Sequence, residues 1–252
     1  MPGLSQIRRF EAAGFRAWPS ATTYYDGTWS IRLTPGHRSR RLNSINPLDP
    51  NDHNDISDRI DRAQARFRDV GKPLTFRQTP LASRELDAWL DDRKFTRVHE
   101  STVMTAELED MDFSRVIDML PMKDASRYAS ASAAIHDLSE SDRDGLTSVI
   151  QAIKPSVGFF VQADGDGPAS CVMCVQDGAL AGILDLGTRH GVRRQGHAHN
   201  ILKSALKWAR SHGAVTAWLQ MDLGSMEARS LYENAGFQEI YRYVYRVAPG
   251  AF

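Results

Sequence analysis

The chain has 252 residues, 42% of them hydrophobic and 25% charged, with thirty-one Lys and Arg against thirty-one Asp and Glu. This composition excludes a disordered chain, a collagen-like fibre, a disulfide scaffold and a basic nucleic-acid clamp. The length allows one large domain or two modest ones.

Residues 1–15 lack the apolar stretch of a signal peptide, and no run approaches the roughly 20 apolar residues that span a bilayer. With only two cysteines, the expectation is a cytoplasmic protein with no membrane partner. Residues 34–54 are polar and proline-containing and read as a long loop. Within it, the basic run at residues 37–41 could meet an acidic substrate or simply be solvated. Ile56, Ile60, Ala63 and Phe67 have helical spacing, Gly71 follows, and Phe76 centres a strand. Ser83 can cap the next helix, and residues 96–108 read as a strand. Residues 113–122 and 126–153 read as helices, with Ser139 or Ser141 as a cap and Pro155 as a stop. A strand over 158–164 is followed by a turn at 165–170.

Cys171 and Cys174 form a C-x-x-C, which can signal zinc or redox chemistry. The surrounding pattern instead reads as a hairpin turning at Asp177-Gly178, which puts residues three apart on opposite faces. Two buried thiols and no metal are the expectation. Residues 179–188 suit a buried strand. Ala198, Ile201, Leu202, Ala205, Trp208 and Ala209 mark a helix over 197–212, which Gly213 ends. A strand over 214–221, a helix opened by Ser225 and ended near Gly236, and an aromatic strand over 238–247 complete the chain. That last strand could pair with a second copy and make a homodimer.

Displaced by 142 residues, the chain matches itself without a gap. Gly71 falls on Gly213, Gln78 on Gln220, Leu81 on Leu223, Ser83 on Ser225, Glu85 on Glu227 and Phe95 on Phe237. The apolar faces of the upstream helices coincide too, which points to an internal duplication.

The turn Arg193-Arg194-Gln195-Gly196-His197-Ala198 lies between a strand and a helix. Unpaired amides at a helix start, its dipole and nearby arginines suit a pyrophosphate. Neither a Walker A pattern nor a Rossmann G-x-G-x-x-G is present. The same turn resembles the [Q/R]-x-x-G-x-[G/A] signature of the GNAT superfamily of acetyl-CoA-dependent N-acetyltransferases. Ala228, Leu231, Tyr232, Gly236 and Phe237 resemble a second signature of that family, with Ser225 in place of its leading Asn.

The resemblance implies an α/β (α+β) fold of two GNAT-like units, each a mixed, mostly antiparallel sheet flanked by helices. Residues 1–110 would be a degenerate N-terminal domain and residues 111–252 the domain that binds acetyl-CoA. Backbone groups of Leu186, Gly187 and Thr188 would hold the pantetheine arm and polarise the thioester. Amides between Arg193 and His199 would take the pyrophosphate, beside a contact from Ser225. Tyr232 would protonate the leaving thiolate. In the first unit Leu90 matches Tyr232, and aspartates 49, 52 and 55 stand where the arginines would be, so that unit should not bind the cofactor.

No strand glutamate is present as general base; Asp185 and Asp222 are the nearest carboxylates. His190, His197 and His199 lie near the turn without metal-ligand spacing. The acceptor would be a small-molecule or peptide amine, with no nucleic acid involved. A non-catalytic acyl-CoA sensor or interaction module is the alternative.

Overall fold

Residues 2–250 are described in a computed structural model. They divide into two compact units. The first holds residues 2–103, 222–224 and 240–250, and the second holds 104–221 and 225–239.

In the first unit, helix α1 (Leu4–Ala17) buries Ile7, Phe10, Ala13 and Ala17 along one stripe. Strands β1 (Thr22–Asp26), β2 (Trp29–Leu33) and β3 (Ser44–Pro47) are antiparallel neighbours. Helix α2 (Ile56–Asp69) leads to β4 (Thr75–Gln78), helix α3 (Arg84–Asp92) and β5 (Thr96–Glu107), whose last residues Met104–Glu107 belong to the second unit.

In the second unit, helices α4 (Ala125–His136) and α5 (Glu140–Gln151) precede a meander of β6 (Ser156–Asp164), β7 (Gly167–Asp177) and β8 (Leu180–Thr188). Helix α6 (His197–Ser211), β9 (Thr216–Asp222) and α7 (Met226–Asn234) follow. Strand β10 (Gln238–Val247) runs mostly within the first unit, between β4 and β5. Its pairing with β4 runs over Val244–Val247.

The first unit carries a fully buried ion pair. Glu11 on α1 meets Arg77 on β4 at 2.7 Å and accepts a 2.7 Å hydrogen bond from the Tyr241 hydroxyl. Arg77 also lies over the Tyr243 ring, 3.6 Å from its centroid. Burial alone would lower the Arg77 pKa, but Glu11 together with Tyr243, Tyr245 and Tyr241 raises it. The aliphatic core lies elsewhere, where Trp29, Ile45, Phe67, Phe76, Leu86 and Leu90 close together. In the second unit Phe160, Val172, Cys174, Ile201, Ala205 and Phe237 form the corresponding core.

The 142-residue spacing recurs in the elements. Helices α3 and α7 share both ends at that spacing, as do the starts of β5 and β10. Their C-caps agree as well: Phe95 N–H donates to Leu90 O and Phe237 N–H to Tyr232 O, both at 2.9 Å. Lys72 N–H donates to Phe67 O at 2.9 Å, and Ala214 N–H to Ala209 O at 3.0 Å, as Schellman-type caps do. Ser83 caps α3 by accepting from Leu86 N–H, whereas Ser225 makes no side-chain cap to α7. Of the two candidate caps on α5, Ser139 serves, accepting from Asp142 N–H.

Three sequence expectations fail. Residues 113–122 are not helical, because α6 side chains take their polar groups: Ser204 donates to Ile117 O, and Lys207 pairs with Asp118 at 2.7 Å. The segment 34–54 is not all loop. It contains β3, whose polar residues are buried because Asn46 Nδ2 donates to Ser30 O and Ser44 O. The turn expected over 165–170 is two residues long, and β7 begins at Gly167.

Replacing Glu11 by Ala would strand the Arg77 charge. A loss of about 3–5 kcal/mol in urea unfolding is expected; an unchanged midpoint would show that the pair does not hold α1 in place.

Candidate functional site

Strand β8 is the scaffold of the site. It pairs in parallel with β9 only from Leu180 opposite Thr216 to Ile183 opposite Leu219. On its other side the pairing with β7 steps from Leu184 opposite Met173 to Gly187 opposite Cys171. One extra residue is thus inserted in β8, a β-bulge, and Asp185 takes φ 54° there. Beyond it, Leu186, Gly187 and Thr188 have no partner in register on β9 among the described residues, so that side of the strand is not closed by the sheet, although Arg193 reaches Thr188 O. On the β7 side, Ser170 donates to Gly187 O at 2.6 Å.

Asp185 does not point into the gap; helix α4 holds its carboxylate. Tyr128, Ser132 and His136 stand at i, i+4 and i+8, one stripe of that helix. Tyr128 and Ser132 donate to Asp185 Oδ2 at 2.9 and 2.7 Å, and His136 Nε2 lies 3.4 Å from Oδ1. Tyr128 is itself stacked on Phe159, with centroids 4.8 Å apart. Burial pushes the Asp185 pKa up, with His136 and the two hydroxyls opposing. Burial, then Asp185, keeps the Tyr128 phenol well above its ordinary value.

Gly187 is required by this packing. A Cβ there would lie 2.4 Å from His136 Cε1 and 2.5 Å from Nε2. The His136 side chain is 31% exposed, and its Nδ1 has no hydrogen-bond partner among the described residues. The sequence reading did not single out Tyr128, Ser132 or His136; a polar stripe at every fourth residue of an otherwise small and apolar helix was the available signal.

His136, Cys171 and Asp185 offer three donor atoms within 4.8 Å of one another, a spacing that a metal ion could use. The Cys171 thiol, however, donates to Asp185 O at 3.5 Å, which requires its proton, and burial pushes its pKa up to about 12. The set therefore closes as a hydrogen-bond network. Cys171 faces α4, while Cys174 lies in the core against α6, so the C-x-x-C pair is split across the sheet as the hairpin pattern predicts.

From β8 the chain turns into α6. Arg189 is anchored by two hydrogen bonds to Asp164, at 3.0 and 2.7 Å. Arg193 folds back to donate to Thr188 O at 3.2 Å. Arg194, at φ 63°, is exposed and 3.9 Å from Glu227. Gln195 is exposed, and Gly196 is the N-cap at φ 86°. A Cβ on Gly196 would meet only Asn200 Nδ2, at 3.9 Å, so the space above the turn is open. No side chain caps α6, whose first amides, at His197, Ala198 and His199, have no acceptor within the helix. The Nδ1 of His197 is buried and has no hydrogen-bond partner among the described residues. His190 and His199 are exposed.

Tyr232 on α7 is 9% exposed, edge-on to Phe237, and its hydroxyl has no partner among the described residues. Burial pushes its pKa up to about 12. Leu186 packs against the cluster that holds Tyr232. Asp222, by contrast, is occupied within a turn of the first unit. It accepts from Gly224 N–H at 2.7 Å and lies 3.8 Å from His99. The basic run at 37–41 is also tied down, since Asn43 donates to His37 O and Arg32 to Arg41 O.

At the start of α2 the electrostatics are reversed. Asp52 takes Arg59 at 2.8 Å and the Thr28 amide and hydroxyl at 2.7 Å each. Asp55 is the N-cap. Burial alone would raise the Asp52 pKa, but Arg59 and Thr28 hold it below its ordinary value. Leu90, at the place of Tyr232, is fully buried.

Residues 4–246 match the family described as "Probable histone acetyltransferase Rv0428c C-terminal". An uncharacterized N-acetyltransferase of Bacillus subtilis (strain 168), YobR, is 23% identical over 250 residues, which cover 97% of this chain and 99% of that protein. A GCN5-related N-acetyltransferase from Kribbella flavida superposes with a TM-score of 0.70 at 19% identity, covering 99% of this chain and 97% of the other. A tandem GNAT protein from the clavulanic acid biosynthesis pathway superposes with a TM-score of 0.64 at 13% identity, over 94% and 86% of the two chains. No helix among the described residues is long and apolar enough to cross a membrane. With the family match running almost end to end, the chain belongs to this acetyltransferase family and has the GNAT superfamily fold.

Proposed function

We propose that the chain is an N-acetyltransferase that passes the acetyl group of acetyl-CoA to a primary amine, in a domain that begins near residue 111. The observation that carries this reading is the splayed end of β8 leading directly into an uncapped, open helix start. Bound acetyl-CoA supplies an activated thioester, and the residues present fit it. The buried His197 Nδ1, which has no partner among the described residues, and the open space above Gly196 leave room and a polar atom for an anionic group. Arg193 and Arg194 add positive charge at the same turn.

The backbone of Leu186–Thr188 would hold the pantetheine arm through the groups that Ser170 and Arg193 do not already take, and an amide there would steady the oxyanion. Tyr232 gives its proton to the departing sulfur. With its pKa near 12 it stays protonated across the neutral range, as a donor must. The lack of a side-chain bond from Ser225 to α7 leaves that hydroxyl available to the cofactor.

We read the first hundred residues as a degenerate GNAT-like unit that supports the second. The recurrence of α3 and its C-cap in α7 favours this, as does the likeness to a protein described as a tandem GNAT protein. The Asp52–Arg59 pair occupies the place where a pyrophosphate would sit. The acceptor is a small-molecule or peptide amine, and the family's description as a probable histone acetyltransferase makes lysine-bearing peptides the first to test.

Calorimetry with CoA should give binding to the wild type and none to Gly196→Glu, which should still unfold cooperatively, at a lower midpoint because a side chain at φ 86° is strained. Equal affinity in the two would remove the pyrophosphate from this turn. Tyr232→Phe should keep CoA affinity and slow thiol release by about 10²-fold or more with any amine that is accepted. CoA binding without turnover of any amine would leave the sensor reading instead.

A further inference from the structure

We propose that His136 is the catalytic base that takes the proton of the attacking amine, and that Asp185 is a positioning residue and not the base. The inference rests on the acetyl-transfer reading above and adds to it the group that a missing strand glutamate would leave unassigned.

The geometry separates the two roles. Asp185 has both oxygens engaged, with Tyr128 and Ser132 on Oδ2 and His136 on Oδ1. One oxygen accepts from two hydroxyls and the other faces the imidazole, so the carboxylate is turned to α4 and away from the gap. His136 differs. Its Nε2 faces Asp185 and Cys171, at 3.4 and 3.9 Å, so the proton on this imidazole belongs on Nε2. That leaves Nδ1 as a lone pair, unpartnered, on a ring that is 31% exposed.

The ring is also in the right place. It packs directly on the Cα of Gly187, within the three-residue stretch of β8 that has lost its β9 partner. An amine attacking a thioester held on that stretch arrives beside this imidazole. As the ring takes a proton it gains positive charge. The Asp185 carboxylate and the carbonyl end of α4, whose last residue is His136, both stabilise that charge.

The step balances without another reactant. The amine nitrogen bonds to the acetyl carbon, and the carbon–sulfur bond breaks. The nitrogen's proton passes to His136 Nδ1, Tyr232 gives its proton to the sulfur, and the amide and free thiol leave. Solvent then returns the proton from the imidazole to the phenol.

The test uses the full chain, acetyl-CoA and a panel of ethylamine, spermidine and a lysine-bearing peptide, with thiol release as the readout. His136→Ala should lower kcat by about 10²-fold or more while CoA affinity by calorimetry is unchanged. Added imidazole should restore part of the rate to His136→Ala but none to the Tyr232→Phe variant. His136→Gln, which keeps the volume over Gly187, should be as slow as His136→Ala, which separates chemistry from packing. Gly187→Ala should also be slow, because its Cβ displaces the ring.

Asp185→Asn should lower kcat more than it raises KM. In the double variant with His136→Ala, imidazole should no longer rescue. A near-wild-type rate in His136→Gln, or no rescue of His136→Ala by imidazole, would overturn the assignment. Stoichiometric zinc in the purified protein, lost on His136→Ala, would overturn it too. Absence of turnover by the wild type on every amine would instead defeat the acetyl-transfer reading itself.

Discussion

A single inserted residue in β8 governs the second unit. Asp185 occupies a left-handed backbone position in a strand, and its carboxylate is mostly buried. Neither is stable alone, since a buried carboxylate without donors is strongly unfavourable. Tyr128 and Ser132 remove that cost with two hydrogen bonds from one face of α4. Helix stripe and bulge thus stabilise each other. The bulge shifts the register against β7, the strand stops following β9 after Ile183, and Gly187 comes to lie beneath His136. The gap, the open side of the strand and the imidazole over it are consequences of one packing solution.

The two units show how one arrangement of elements can be given opposite electrostatics. Helices α2 and α6 both begin from a left-handed N-cap and end in the same five-residue cap. At α6 the entrance is open, with arginines beside it. At α2 it is closed from within by Asp52 and Arg59, and Arg59 lies over the Trp29 ring, 3.9 Å from its centroid. In the first unit the helix entrance is a structural contact. The interior of that unit is polar in another way too, with Glu11, Arg77 and Tyr241 joined by an ion pair and a hydrogen bond.

Much of this was legible in the residues. Apolar spacing located α2, α6 and α7, and aromatic and β-branched content located β10 to the residue. The Gly and Ser positions exposed the 142-residue spacing. What was not legible depended on tertiary partners. Residues 113–122 have helical spacing but hand their polar groups to Ser204 and Lys207. Strand β3 is polar by sequence and buried only because Asn46 bonds across to β2. The bulge has no sequence signature, so Asp185 read only as a candidate base or a structural carboxylate, and His136 fell unremarked within the helical stretch 126–153.

The placement of the two cysteines has a practical side. Both thiols are buried on opposite faces of β7, and burial raises both pKa values, that of Cys171 to about 12. Almost no thiolate is present at neutral pH to react with a disulfide reagent. The folded protein is therefore close to silent in a colorimetric thiol assay. Any new colour in such an assay reports CoA, and a slow rise from the protein itself becomes a built-in gauge of unfolding.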